Sequence, residues 1–313
     1  MSDKDAVTKK YMQDNKIFAD AFNFYLYGGE QVIIPENLIP LDTAVIAELF
    51  KGNDPPVMIQ KYRDILKALT AKTDGKMIYL ILGMENQSVI NPVMPVKTME
   101  YDVLQYSGQI AQIAERHRKN KDKPGSAGEF MSGFYKTDRL IPVITLTVYF
   151  GADEWNAPLD LYGMMDVDET VRRYVDNYHV HLISPASIPD EDFSKFATEL
   201  SAVLKFIKCS ADKNKMTELI HTDPAYKKMS GTAANMLSIV TGSKLVFNEK
   251  EEVVDMCKAI DDIHSDGIRE GMEIGREQGR EEGIIKTLTE LVEKKAAYAC
   301  AGCRTSRNVC RRV

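Results

Sequence analysis

Between Tyr11 and Tyr27 the apolar residues Ile17, Phe18, Ala21, Phe22 and Tyr25 recur at helical spacing and mark one face of a helix. Gly28-Gly29 stops it. A second amphipathic stretch is broken at Asp54-Pro55-Pro56. The period then changes. Asp64 to Thr70 is short, partly alternating and suited to a strand, and Met77 to Met84 is an apolar run that suits a buried one. Between them, Lys72-Thr73-Asp74-Gly75-Lys76 carries the Asp-Gly signal of a two-residue hairpin.

Helical periodicity returns over about Met99–Arg118, followed by a Gly- and Ser-containing loop from Pro124 to Gly133. Ile141 to Phe150 is rich in β-branched and aromatic residues and predicts a strand in a sheet core. A further short strand is expected at 178–183. From about Pro189 to Lys258 the pattern is helical, with breaks at Pro224 and Gly231. Glycines then fall at 267, 271, 275, 279 and 283, one every four residues, among Glu, Arg, Ile and Met. The last stretch, Ala296 to Val313, is basic, Cys-rich and aperiodic. The expected divisions are therefore a core at 11–185, a helical region at 186–262, the glycine repeat at 263–295 and a tail without fixed structure at 296–313.

Composition narrows the function classes. The 313 residues are 44% hydrophobic and 27% charged, the balance of a globular chain rather than a disordered or collagenous one. No apolar run is long enough to cross a bilayer, so no membrane partner is expected. The polar N-terminus has no signal-peptide core, and a cytoplasmic location is the expectation. Five scattered cysteines are not a disulfide framework. Cys300-x-x-Cys303 with Cys310 lacks the fourth ligand of a structural zinc site. The net charge of −6 argues against a broadly basic coat for nucleic acid.

The hairpin draws chemistry together. A two-residue Asp74-Gly75 loop pairs Thr73 with Lys76, and the same register sets Asp64 opposite Glu85. Directly opposed residues in an antiparallel pair have Cβ atoms about 4.5–5.5 Å apart. Two carboxylates there repel one another unless a cation lies between them, and a hard divalent ion such as Mg2+ suits their oxygens. Gln87 shares the Glu85 face. Two plainer readings stand beside this one: solvated acids at strand ends, and a longer loop that separates the pair by one pleat.

The stretches Ile17-Phe18-Ala19-Asp20-Ala21-Phe22-Asn23, Tyr62-Arg63-Asp64-Ile65-Leu66-Lys67 and Gly83-Met84-Glu85-Asn86-Gln87-Ser88 resemble the PD-(D/E)XK nuclease superfamily. More narrowly they resemble the Rpn-type recombination-promoting nucleases, also labelled putative transposases. Tyr101-Asp102-Val103-Leu104-Gln105-Tyr106 and Pro142 to Gly151 continue the likeness, which runs from about residue 11 to 285. The resemblance implies a restriction-endonuclease-like α/β core, a mixed central sheet flanked by helices, with a helical C-terminal region. It implies that Asp64 and Glu85 bind Mg2+, with Mn2+ as a substitute, for hydrolysis of phosphodiester bonds in DNA. Gln87 stands where the superfamily pattern has Lys, although Gln occurs there in some members and in the usual Glu-x-Gln form of the narrower family; it can orient water but brings no formal charge. Asp20 is the candidate further acid. Tyr106 and Gln109 share a helix face and resemble the superfamily's helix that supports the site or touches the DNA backbone; the plainer reading is a half-buried Tyr with a polar neighbour. The basic stretch 116–123, with Arg116, Arg118 and Lys119, lies after that helix and reads either as phosphate contacts or as a solvated loop. The alternative is a catalytically weak or inactive DNA-binding or assembly protein with the nuclease fold. The glycine repeat reads either as a self-association helix, giving a homo-oligomer, or as a charged tail.

Overall fold

The computed structural model describes residues 3–41, 65–73, 76–242, 247 and 253–309. Two compact units divide the chain, Met1–Met256 and Cys257–Val313. The break at Asp54-Pro55-Pro56, the Asp74-Gly75 turn and Asp64 lie outside the described residues.

The first unit opens with α1 (Asp3–Met12) and α2 (Asn15–Tyr27). The helix expected from Tyr11 is thus interrupted. Asp14 restarts it, its carboxylate accepting from the backbone of Lys16 at 2.7 Å and Ile17 at 3.4 Å, which satisfies first-turn N–H groups. At the other end Gly28 takes the left-handed conformation, φ 62°, that closes a helix at little cost to glycine alone. A Cβ at the next residue, Gly29, would sit 2.5 Å from the Lys195 carbonyl oxygen.

Five strands form one mixed sheet in the order β1 (Leu38–Pro40), β2 (Ile65–Thr73), β3 (Lys76–Gln87), β4 (Val143–Tyr149) and β5 (His181–Ile183). β1, β2 and β3 pair antiparallel; β3, β4 and β5 pair parallel. The β2–β3 ladder runs from Thr73↔Lys76 to Ile65↔Met84, the register expected of a two-residue hairpin. Parallel pairing of β3 with β4 requires a crossover. The long helix α3 (Met94–Asn120) supplies it, beginning five residues earlier than the periodicity suggested because Pro95 occupies its first turn. Short helices α4 (Ala127–Ser132) and α5 (Glu169–Arg172) punctuate the connections on either side of β4.

The sheet's two faces are covered by different helices. Lys67 reaches α2, where its Nζ donates to Gln13 O at 2.8 Å and Asn15 Oδ1 at 2.7 Å and lies 4.4 Å from the centre of the Phe18 ring. Side chains alternate along a strand, so Lys67, Leu82 and Met84 face α2. Leu66, Glu85 and Gln87 face the other way, towards α3, whose Tyr106 packs against Leu66 and Val143.

The helical remainder of this unit comprises α6 (Leu200–Cys209), α7 (Lys213–Thr222) and α8 (Gly231–Thr241), with Leu200, Val203, Leu204, Ile207 and Leu237 buried. Pro224 and Gly231 mark breaks as expected, and the Ser230 hydroxyl caps α8 by accepting from Ala233 N at 3.1 Å. The second unit is carried by α9 (Met256–Val309), one helix that passes through the glycine repeat. It continues through residues 296–309, where the aperiodic sequence predicts no fixed structure.

Candidate active site

Glu85 sits near the C-terminal end of β3, where parallel strands open towards the following helix. It is 4% exposed. A carboxylate so placed needs a compensating partner, and two converge on one oxygen. Gln87 Nε2 donates to Glu85 Oε1 at 3.2 Å, and Lys97 Nζ forms an ion pair with the same atom. Gln87 reaches it because residues two apart on a strand share a face. Lys97 arrives from the first turn of α3, held by the Lys97 N to Val93 O bond at 3.0 Å and by burial of Met94 and Thr98.

Directly across the parallel ladder from Glu85 is Thr147, fully buried. Its Oγ1 has no hydrogen-bond partner among the described residues. One pleat earlier, Thr145 donates to Asp102 Oδ1 at 2.5 Å, and Tyr178 OH donates to Asp102 Oδ2. The layer between α3 and the sheet therefore contains Glu85, Asp102, Gln105, Thr145 and Thr147, all buried. A helix–sheet seam built for packing alone buries apolar residues. This seam instead buries five polar side chains, each at a desolvation cost that its hydrogen bonds have to offset.

The other residues singled out from the sequence fall into three places. Asp20 lies on α2, on the sheet face opposite Glu85, and is not brought to it. Its carboxylate accepts from Ala197 N at 2.8 Å, Thr198 N at 2.9 Å and Thr198 Oγ1 at 2.5 Å, immediately before α6. Those bonds make it a structural cap of the connection into α6 and leave it no path to Glu85. Tyr106 and Gln109 do share one face of α3, and both grip the chain entering β4. Tyr106 OH accepts from Val143 N at 3.1 Å, and the Gln109 amide both donates to Ile141 O at 3.0 Å and accepts from Ile141 N at 2.7 Å. They hold β4, and through it Thr147, in register.

Arg118 and Lys119 occupy the last turn of α3, where cations complement the helix dipole, and Arg116 stands just before it. Lys119 pairs with Glu115 at 2.8 Å and Arg116 with Asp138 at 3.3 Å. His117 stands between them and bonds to Asp122 and Asp138, both of which hold its imidazole pKa above the usual value. Gln109 and Arg116 line a cavity of ≈ 340 Å³ together with Gln112, Ile113, Arg139 and Ile141. A larger cavity of ≈ 660 Å³, lined in part by Lys10, Tyr11, Asp14 and Glu199, holds none of the residues predicted for the site. Lys97, Thr147 and Arg139 were not singled out in the sequence; each is placed by a contact between elements distant along the chain.

The chain belongs to the YhgA-like putative transposase family, whose model matches residues 3–230. No curated protein and no solved structure matches it. The family's extent takes in every strand and all of α1 to α7, and so the whole setting of Glu85. Family membership associates the chain with mobile elements. It leaves the chemistry to be argued from the site.

The donors available at that site are hard. Glu85 brings carboxylate oxygens, Gln87 an amide and Thr147 a hydroxyl, the kinds of group that a small divalent cation accepts. Among the described residues no group of three or more His, Cys, Asp or Glu side chains gathers for a metal. A soft-metal site is not what these oxygens would form. They fit Mg2+ or Mn2+ with ligands still to be completed by water and by a second acid.

Proposed function

We propose that the protein is a metal-dependent DNA endonuclease of the PD-(D/E)XK type, acting in recombination or on mobile elements. The observation that carries this reading is the β2–β3 register. Ile65 faces Met84, and the ladder continued by one residue would set Asp64 opposite the buried Glu85. Asp64 and Glu85 would then hold Mg2+, or Mn2+ in its place, with Gln87 beside them. A cation so bound supplies polarisation of the phosphoryl oxygen and a lowered pKa for the attacking water.

The chain's own residues contribute position. α3 closes over Glu85 and keeps bulk water from the carboxylate. Tyr106 and Gln109 fix β4, so that the Thr147 hydroxyl lies beside Glu85 and is able to orient a water. Arg116 and Arg139, with Gln109 in the cavity they share, offer a short track for the phosphate backbone. Gln87 in place of Lys favours the second reading, a DNA-binding protein with weak or no cleavage.

A plasmid-nicking assay in Mg2+ separates the two. Wild type is expected to nick, and Asp64→Ala and Glu85→Ala are each expected to lose nicking by roughly two orders of magnitude or more. Equal nicking by all three proteins refutes the site. Salt-sensitive DNA binding with no cation-dependent cleavage in wild type establishes the second reading.

A further inference from the structure

Gln87 leaves the nuclease reading short of one positive charge, and the structure holds one at the same atom. Gln87 Nε2 and Lys97 Nζ both donate to Glu85 Oε1, one from the strand and one from the first turn of α3. Lys97 is twelve residues beyond Glu85, across the 88–93 connection. Its side chain is 21% exposed against 6% for Glu85, so the ammonium sits at the mouth of the site while the carboxylate lies inside. Its Nζ also lies 5.8 Å from the centre of the Tyr101 ring, one helical turn on, a cation–π distance that fixes the direction of the stem. Lys67, buried on β2, points to α2 and cannot take this place.

We propose that Lys97 supplies from α3 the cationic function that Gln87 lacks. It neutralises Glu85 in the free protein, and with DNA bound it stabilises the charge that builds on the scissile phosphate. This inference rests on the nuclease reading of the same site. In the hydrolysis a bond forms between the water oxygen and phosphorus, and the phosphorus–ester oxygen bond breaks. The water gives up one proton, the leaving oxygen gains one, and nothing is oxidised or reduced. Negative charge concentrates on the phosphoryl oxygens in passing. A preorganised ammonium in a partly desolvated site is worth more against that charge than one in water. The same ammonium offsets the cost of burying Glu85 until substrate arrives. A compact, rotatable Lys head can leave one oxygen for another without losing its charge.

The test is a charge relocation. Lys97→Met is expected to lower Mg2+-dependent nicking by roughly 100-fold. Adding Gln87→Lys to Lys97→Met returns an ammonium to Glu85 Oε1 and is expected to restore most of it. Calorimetric titration with Mn2+ alone, without DNA, gives an independent reading. Lys97→Met is expected to bind Mn2+ several-fold more tightly than wild type, because Nζ no longer competes for the carboxylate. Lys97→Gln, which keeps the length and a donor, takes its place if Lys97→Met does not fold. A folded Lys97 variant with unchanged Mn2+ affinity and no rescue by Gln87→Lys overturns the proposal. If wild type nicks nothing, the nuclease reading falls, and the Mn2+ titration judges the contest between Lys97 and cation by itself: tightening upholds that contest, and unchanged affinity ends it.

Discussion

Lys67 carries its charge into the interior, and stability at alkaline pH should record it. Burial pushes its pKa from 10.5 down to about 8, partly opposed by the nearby Asp14 carboxylate. Between those two values the unfolded chain holds a proton that the native state has released, so this residue makes stability rise with pH across that window. Below about pH 8 its full cost is present. Thermal melts of wild type and Lys67→Met at pH 7.5 and pH 10 check this. The melting temperature of wild type relative to the variant is expected to climb over the interval, and a constant difference would show that the ammonium is not desolvated. Lys67 also illustrates what a sequence hides at this scale. The residue two places after Ile65 is a polar one on a buried face, and nothing in the alternation says which helix receives it. Asp20 is the same problem reversed. Its position on an amphipathic helix near the N-terminus is legible, but which sheet face that helix covers is not, and the carboxylate turns out to serve Ala197 and Thr198. Lys97 escaped notice because its contact with Glu85 depends on where α3 begins.

At the level of elements, the hairpin was the most legible part of the molecule. A turn of fixed length and two runs of opposite character leave one register that keeps Leu66 and Glu85 on a common face, and the ladder from Ile65 to Met84 has it. Helix α9 was the least legible, because a glycine every four residues weakens a helix as much as it patterns one. A Cβ placed at Gly267, Gly271, Gly275, Gly279 or Gly283 meets nothing within 4 Å. Packing among the described residues of this helix therefore does not demand these glycines, and each is expected to cost the helix about 1 kcal/mol relative to Ala. Replacing Gly271, Gly275 and Gly279 together by Ala should increase helical ellipticity and delay its loss on heating. Destabilisation instead would mean that a backbone from another copy approaches the stripe and needs it smooth. Exposed Ile285, Leu288 and Val292 beyond the repeat would then be part of the same surface.

For the molecule as a whole, the net charge of −6 means that any affinity for DNA has to be local. Of the cations grouped around the end of α3, Lys119 pairs with Glu115 and Arg116 with Asp138, and fold geometry adds Arg139 to Arg116 around one cavity. A contact made through one such track neutralises few phosphates, so the salt dependence of binding should be shallow. The slope of log Kobs against log salt falls by about 0.9 for each phosphate neutralised. Arg116→Gln and Arg139→Gln are each expected to reduce that slope by about 1 and to weaken binding equally on unrelated sequences. Fluorescence anisotropy with a labelled duplex across a salt series measures it, with Lys9→Gln on α1 as a control for loss of general charge. If the control changes the slope as much as the two arginines do, the acidic molecule meets DNA through its average field and not through the surface that Arg116 and Arg139 share. If only Arg116 and Arg139 matter, the track that leads from the end of α3 towards the start of β4 is the one the phosphate backbone follows.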